Sequence, residues 1–80
     1  MQEPFHPMAQ LFSQLGLDNR PQAIARFVDE HPLPKEISIV AAPFFNFAQC
    51  EFLRESREED SDWCELIDQL EVMLHWKALH

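Results

Sequence analysis

The sequence predicts an all-α protein, a small four-helix domain with a proline-stiffened extended segment between the second and third helices. Three observations carry that prediction. Apolar residues recur at i, i+3, i+4 and i+7 in separate stretches, which is the spacing of one-sided helices. Glycine occurs once, which fits helices joined by proline-stiffened loops. Seven Phe, two Trp and a hydrophobic share of 46% supply core material, and disordered chains lack such bulky apolar residues. Eighty residues set a single helical domain over 1–80. A chain that short buries only about 60–65% of its unfolded surface, so its stability is marginal.

The first helix follows Pro7. Met8, Leu11, Phe12 and Leu15 lie on one stripe, Gly16 supplies a left-handed stop, and Leu17 can fold back on Phe12. The second helix starts near Asn19, where Asn19 and Gln22 make a reciprocal capping pair and Pro21 is tolerated in the first turn. Ile24, Phe27, Val28 and His31 repeat the spacing, and Pro32 ends the helix. His31 then sits at a helix C-terminus, where partial positive charge is favourable and capping is its expected role.

Residues 32–45 form the long connection. Pro32, Pro34 and Pro43 stiffen it, while Ile37, Ile39 and Ala41 alternate with Ser38 and Val40 in a strand-like way. One short strand cannot make a sheet, so an extended segment lying across the helices is expected. The third helix opens with a capping pair, Asn46 and Gln49. Phe44, Phe45, Phe47 and Phe52 crowd its start, which predicts burial on more than one side. Glu51–Arg54 and Arg54–Glu58 are opposite-charge pairs on its later, polar part. The fourth helix begins after Glu58-Glu59-Asp60, with Ser61 or Asp62 as its cap. Trp63, Leu66, Ile67, Leu70, Met73 and Leu74 form its core stripe. The expected helices are therefore 7–15, 20–31, 46–58 and 62–78.

The net charge of −8 is unevenly placed. Residues 51–71 hold nine acids against Arg54 and Arg57, leaving −1 for everything else. Such a surface repels nucleic acid, and no basic patch with interleaved aromatics offsets it. Anionic membrane is disfavoured for the same reason. No run approaches the roughly 20 apolar residues of a membrane span. Met1-Gln2-Glu3-Pro4 lacks the basic region and apolar stretch of a signal peptide, so a cytoplasmic location is expected. Cys50 and Cys64 are then expected to be reduced and packed as structural thiols.

Pro4 to Leu17, Ala42-Pro43-Phe44-Phe45 through Gln49, Phe52-Leu53-Arg54-Glu55 and the Asp62-Trp63 opening of the last helix together resemble a family of short proteobacterial proteins, domain of unknown function 2789. The likeness covers nearly the whole chain. It implies a small bacterial cytosolic protein and transfers no catalytic residues.

Two constellations on the fourth helix bear on function. Asp68, Glu71 and His75 lie within about 60° around the axis, on a face that the spacing sets opposite the core stripe. Two carboxylates and an imidazole suit a divalent transition metal, although one helix face seldom closes a site alone. Val72, Trp76 and Leu79 form a second apolar strip, roughly opposite Leu70 and Leu74. Either Phe5 or the 33–45 segment covers it within the chain, or it is the contact of a homodimer or another protein, with Trp76 as anchor.

Other patterns fail on their own chemistry. The cysteines, thirteen residues apart, match no zinc module. Asp60-Ser61-Asp62 lacks the glycine of a calcium loop and the glycine-containing context of an acyl-carrier serine. A single glycine cannot build a phosphate loop. No catalytic constellation or cofactor is recognised. The expectation is a protein-interaction or regulatory module, alone or as a homodimer, whose acidic surface suits a basic partner. The alternative is a metal- or small-ligand-binding protein using Asp68, Glu71 and His75.

Overall fold

The computed structural model describes residues 6–59 and 62–79. Among them are four α-helices and no strand: α1 (His6–Gln14), α2 (Pro21–Glu30), α3 (Phe47–Glu58) and α4 (Asp62–Leu79), with a 3-10 turn at Ile39–Ala41. The all-α fold read from the apolar spacing is the observed one. α4, the longest helix, contacts each of the other three and forms the spine of the packing.

Each helix buries the stripe its spacing defines. Met8, Leu11, Phe12 and Leu15 of the first stripe meet Ile24 of α2, Leu53 of α3 and Ile67, Leu70 and Leu74 of α4 in one core. Trp63, Leu66 and Met73 pack partly buried against it. Phe12 is fully buried and meets the Phe27 ring edge-on, with centroids 5.3 Å apart. Phe27 also stacks on Phe45 at 5.9 Å, so one aromatic side chain ties α1, α2 and the residues leading into α3.

The end of α1 forms as the sequence predicts. Gly16 takes φ +75°, and two bonds close the turn: Leu17 N–H to Phe12 O at 2.9 Å and Gly16 N–H to Ser13 O at 3.0 Å. These satisfy carbonyls that the helix end leaves unpaired. A Cβ at position 16 meets nothing within 4 Å. Gly16→Ala therefore strains only the backbone, and thermal unfolding is expected to show a loss of about 1 kcal/mol.

The expected cap of α2 is corrected. Arg20 occupies the N-cap position and no side chain caps the helix. Asn19 instead donates to Ser13 Oγ at 2.7 Å, and Asp18 accepts from both the backbone and the guanidinium of Arg20. Proline at the first helical position removes one donor that would need a cap. Arg20 holds the Asp18 carboxyl below its ordinary pKa through side-chain and backbone hydrogen bonds. At the other end, His31 caps as expected, with Nδ1 2.8 Å from Phe27 O and its ring stacked on Phe27 at 4.2 Å.

α3 opens with the predicted reciprocal cap: Gln49 N–H to Asn46 Oδ1 at 2.8 Å and Asn46 N–H to Gln49 Oε1 at 2.9 Å. Gln49 Nε2 also donates to Leu15 O at 2.8 Å, joining the start of α3 to the end of α1. The expectation that this start is buried on several sides is overturned. Phe45 is buried and Phe44 and Phe52 are half-buried, but Phe47 is 80% exposed. At 100° per residue Phe47 shares its side of the helix with Glu51, Arg54 and Glu58, away from buried Leu53. Arg54 pairs with Glu51.

The 32–45 connection crosses the helices but is not extended throughout. It curls at Ile39–Ala41 into the 3-10 turn, where the Ser38 hydroxyl accepts the Val40 N–H at 3.4 Å. A lone segment has no strand partner to reward an extended backbone, so local turn bonds win. Leu33 and Ile39 are fully buried, while Ala41 is exposed. The expected cap Ser61 and its neighbour Asp60 lie outside the described residues, as does Phe5.

Candidate functional site

Both constellations expected on α4 are displayed there, and they behave differently. The Asp68, Glu71 and His75 flank is occupied by the protein itself. The Arg57 guanidinium, from α3, reaches Glu71 Oε1 at 2.6 Å and Oε2 at 3.4 Å, and Asp68 Oδ1 at 2.7 Å. Glu71 Oε2 also accepts the Ile39 N–H at 2.9 Å. His75 Nε2 lies 2.8 Å from Ile37 O. A carbonyl only accepts, so Nε2 carries the proton and offers no lone pair on that side.

This flank is not opposite the core. The Glu71 side chain is only 16% exposed, because the 37–39 segment and α3 close over it. Among the described residues, no group of three or more His, Cys, Asp or Glu side chains is placed to hold a metal ion. The three residues instead latch the connection and α3 onto α4. Burial pushes the Glu71 carboxyl up, but the hydrogen bonds from Arg57 and from Ile39 N–H outweigh it, and the pKa is lowered overall. Arg57 is correspondingly raised, chiefly by its bond to Glu71. Titration with zinc or nickel, followed by thermal unfolding, is therefore expected to leave the transition where it was.

Arg57 is the residue that sequence reasoning missed. It sits in a stretch that reads as a solvated acidic face, and its partners lie eleven and fourteen residues away across the α3–α4 turn. The one available signal is that Arg57 is one of two bases among nine acids.

The apolar strip is more than half exposed. Val72 is 65% exposed, Trp76 55% and Leu79 65%. Of the two covers available within the chain, the 33–45 segment runs along the other flank of α4, bonded to Glu71 and His75, and leaves the strip uncovered. Two shallow depressions adjoin it. One, of about 310 Å³, lies between α2 and α4, with Val28 and Asp29 facing Val72, Met73, Trp76 and Lys77. The second, of about 520 Å³, continues toward the start of α4 along Glu65, Asp68, Gln69, Val72 and Met73. Lys77 Nζ bonds Asp29 Oδ1 at 2.8 Å and closes one rim.

Cys50 and Cys64 are free and half-buried, and Cys50 Sγ lies 3.9 Å from Phe45 O.

A family model described as "Protein of unknown function (DUF2789)" matches residues 1–74. The chain belongs to this family. Among solved structures, a similar fold is seen in a Chromobacterium violaceum protein, CV0237, determined by solution NMR. The two chains are 44% identical over 91% of this chain and 92% of the other, with a TM-score of 0.83. Similarity of that degree supports the four-helix arrangement independently. No match is found among curated proteins. Membership of DUF2789 carries the fold and assigns no function. No helix among the described residues is long and apolar enough to cross a membrane.

Proposed function

We propose that this DUF2789 chain is a single-domain cytoplasmic interaction module that docks a protein on the outer face of α4. The observation that carries this reading is the exposure of Val72, Trp76 and Leu79 on a helix whose inner face is already fully buried. Isolated exposed apolar residues are ordinary, but three at i, i+4 and i+7 beside an apolar depression form a contiguous patch. Tryptophan at such a centre is the side chain that most often anchors an interface. The reading is supported further by the polar side chains of α4. Those with chemistry to offer, Glu71 and His75, are consumed in holding the fold together.

The test is site-specific photo-cross-linking in cells of the native host, with the cross-linker at position 72 or 79. Protein adducts are expected from both positions and should fall at least about tenfold when Trp76→Ala is added, since anchors of this kind contribute about 2 kcal/mol or more. Circular dichroism of the variant should be unchanged. Absence of adducts at both positions, or adducts indifferent to Trp76→Ala, would sink the reading.

A further inference from the structure

The outer face of α4 has a chemical gradient, and that gradient specifies an occupant. Around α4, Glu65, Val72, Trp76 and Leu79 fall within roughly 60° of one another, with Asp68 and Gln69 on either side. The outer face is therefore acidic along its first half and apolar along its second. The two depressions share Val72 and Met73, which makes them one groove passing from the acidic to the apolar part. Glu65 is exposed and is in none of the ion pairs among the described residues. Asp68 remains 52% exposed even while paired with Arg57. The base that lines the groove, Lys77, is already bonded to Asp29 at the far rim.

We infer that the groove receives a basic amphipathic helix of a partner protein, with apolar side chains on Val72, Trp76 and Leu79 and Lys or Arg over Glu65 and Asp68. The inference rests on the docking role proposed above and adds the partner's chemistry. From Glu65 to Leu79 the face runs about 21 Å, the length of a helix of four turns. Its anchors at i, i+4 and i+7 match the spacing by which one helix packs along another. A second copy of the chain fits less well. Three partly exposed side chains fall far short of the roughly 800 Å² per partner that a stable dimer buries. Bringing together two chains of net charge −8 adds repulsion.

The experiment titrates the full chain, labelled with ¹⁵N, with three synthetic peptides of about 16 residues. The first is a Lys/Leu amphipathic helix, the second replaces every Lys with Glu, and the third replaces every Leu with Gln. The Lys/Leu peptide is expected to move amide signals along residues 65–79 and to weaken as salt is added. Its Kd should rise at least about tenfold in Trp76→Ala and in Val72→Glu, and about fivefold in Glu65→Lys. The Glu and Gln peptides should bind at least about tenfold more weakly than the Lys/Leu peptide.

Several results overturn the inference. Equal binding of the Glu and Lys peptides would make the face purely apolar. Shifts that map elsewhere, or ignore Trp76→Ala and Val72→Glu, would reduce the binding to diffuse charge attraction. Sedimentation as a dimer that Trp76→Ala dissociates would assign the face to a second copy. Binding seen only after deletion of residues 1–5 would assign it to the chain's own N-terminal segment. The cross-linking experiment separates the basic-helix partner from the docking role itself. A partner captured at position 72 or 79 through a surface without a basic helix overturns this inference and leaves the docking role standing, whereas no adduct removes both.

Discussion

Phe12→Ala is expected to cost about 4 kcal/mol, the middle of the range for deleting a buried aromatic ring. An 80-residue domain has roughly 4–12 kcal/mol in total at ordinary stability per residue, so the loss takes a third of that stability at the upper end and all of it at the lower. Phe12 is fully buried, in a core cluster to which all four helices contribute. The ring meets Phe27 edge-on at 5.3 Å and an interplanar angle of 84°, and Phe27 in turn stacks on Phe45. Collapse of one wall cannot fill the space, because each wall belongs to a different element held by its own hydrogen bonds. Phe12→Leu keeps much of the volume and should cost about 1.5 kcal/mol. Urea unfolding followed by far-ultraviolet circular dichroism distinguishes the two. With a slope near 1 kcal/mol per molar for so small a chain, Phe12→Ala should lower the midpoint by about 4 M or abolish the transition. A shift under about 1 M would show that Phe12 does not bridge these elements.

The features legible in the sequence are those whose physics is local. The α1 stop needs only Gly16, Leu17 and the four residues before them, and the turn forms with both backbone bonds. The Asn46–Gln49 cap closes within one helical turn. That Val72, Trp76 and Leu79 lie opposite Leu70 and Leu74 follows from angular position, but their exposure does not, because spacing leaves open whether the 33–45 segment crosses over them. Where two local arrangements compete, sequence pattern picks the wrong one. Asn19 has Gln22 as a candidate partner, but a serine one helix earlier and the neighbouring Asp18–Arg20 pair take over that stretch. The alternation at 37–41 resembles a strand because its pattern carries no information about whether a pairing strand exists.

The latch is illegible for a different reason. Ile39 N–H meets Glu71 thirty-two residues away, and Ile37 O meets His75 thirty-eight residues away. No spacing rule reaches that far. The three side chains that read as a ligand set do share one flank, and the error lies in what faces them. Carboxylate and imidazole groups serve equally well as metal ligands and as partners for a guanidinium and a carbonyl, so their identity alone cannot decide.

Arg57→Ala is expected to remove about 2 kcal/mol and to change how stability depends on pH. The Glu71 side chain is 16% exposed and that of Arg57 29%, so the pair lies between surface bridges worth under about 1 kcal/mol and buried ones whose disruption costs about 3–5 kcal/mol. In the wild type, burial raises the Glu71 carboxyl, but Arg57 and the Ile39 N–H lower it more, to below its ordinary value. A group lowered on folding adds stability above its unfolded value and loses it as pH falls through its folded value. The wild type should therefore weaken as pH drops below the ordinary carboxylate range and Glu71 takes up a proton. Without Arg57, the opposing burial is answered only by the Ile39 backbone bond and the weaker pull of His75. Glu71 should then titrate higher, and protonation should relieve the variant where it harms the wild type. The difference in stability between the two proteins should thus be greatest near neutral pH and shrink in acid. Urea unfolding of both proteins, from neutral pH down through the carboxylate range, checks this, with Glu71→Gln alone and combined with Arg57→Ala. The amide introduced by Glu71→Gln can still accept the Ile39 N–H but carries no charge, so the combined variant should lose less than the sum of the two single losses. A deficit for Arg57→Ala that is the same at every pH would show that the arginine acts by packing its stem rather than by holding the carboxylate.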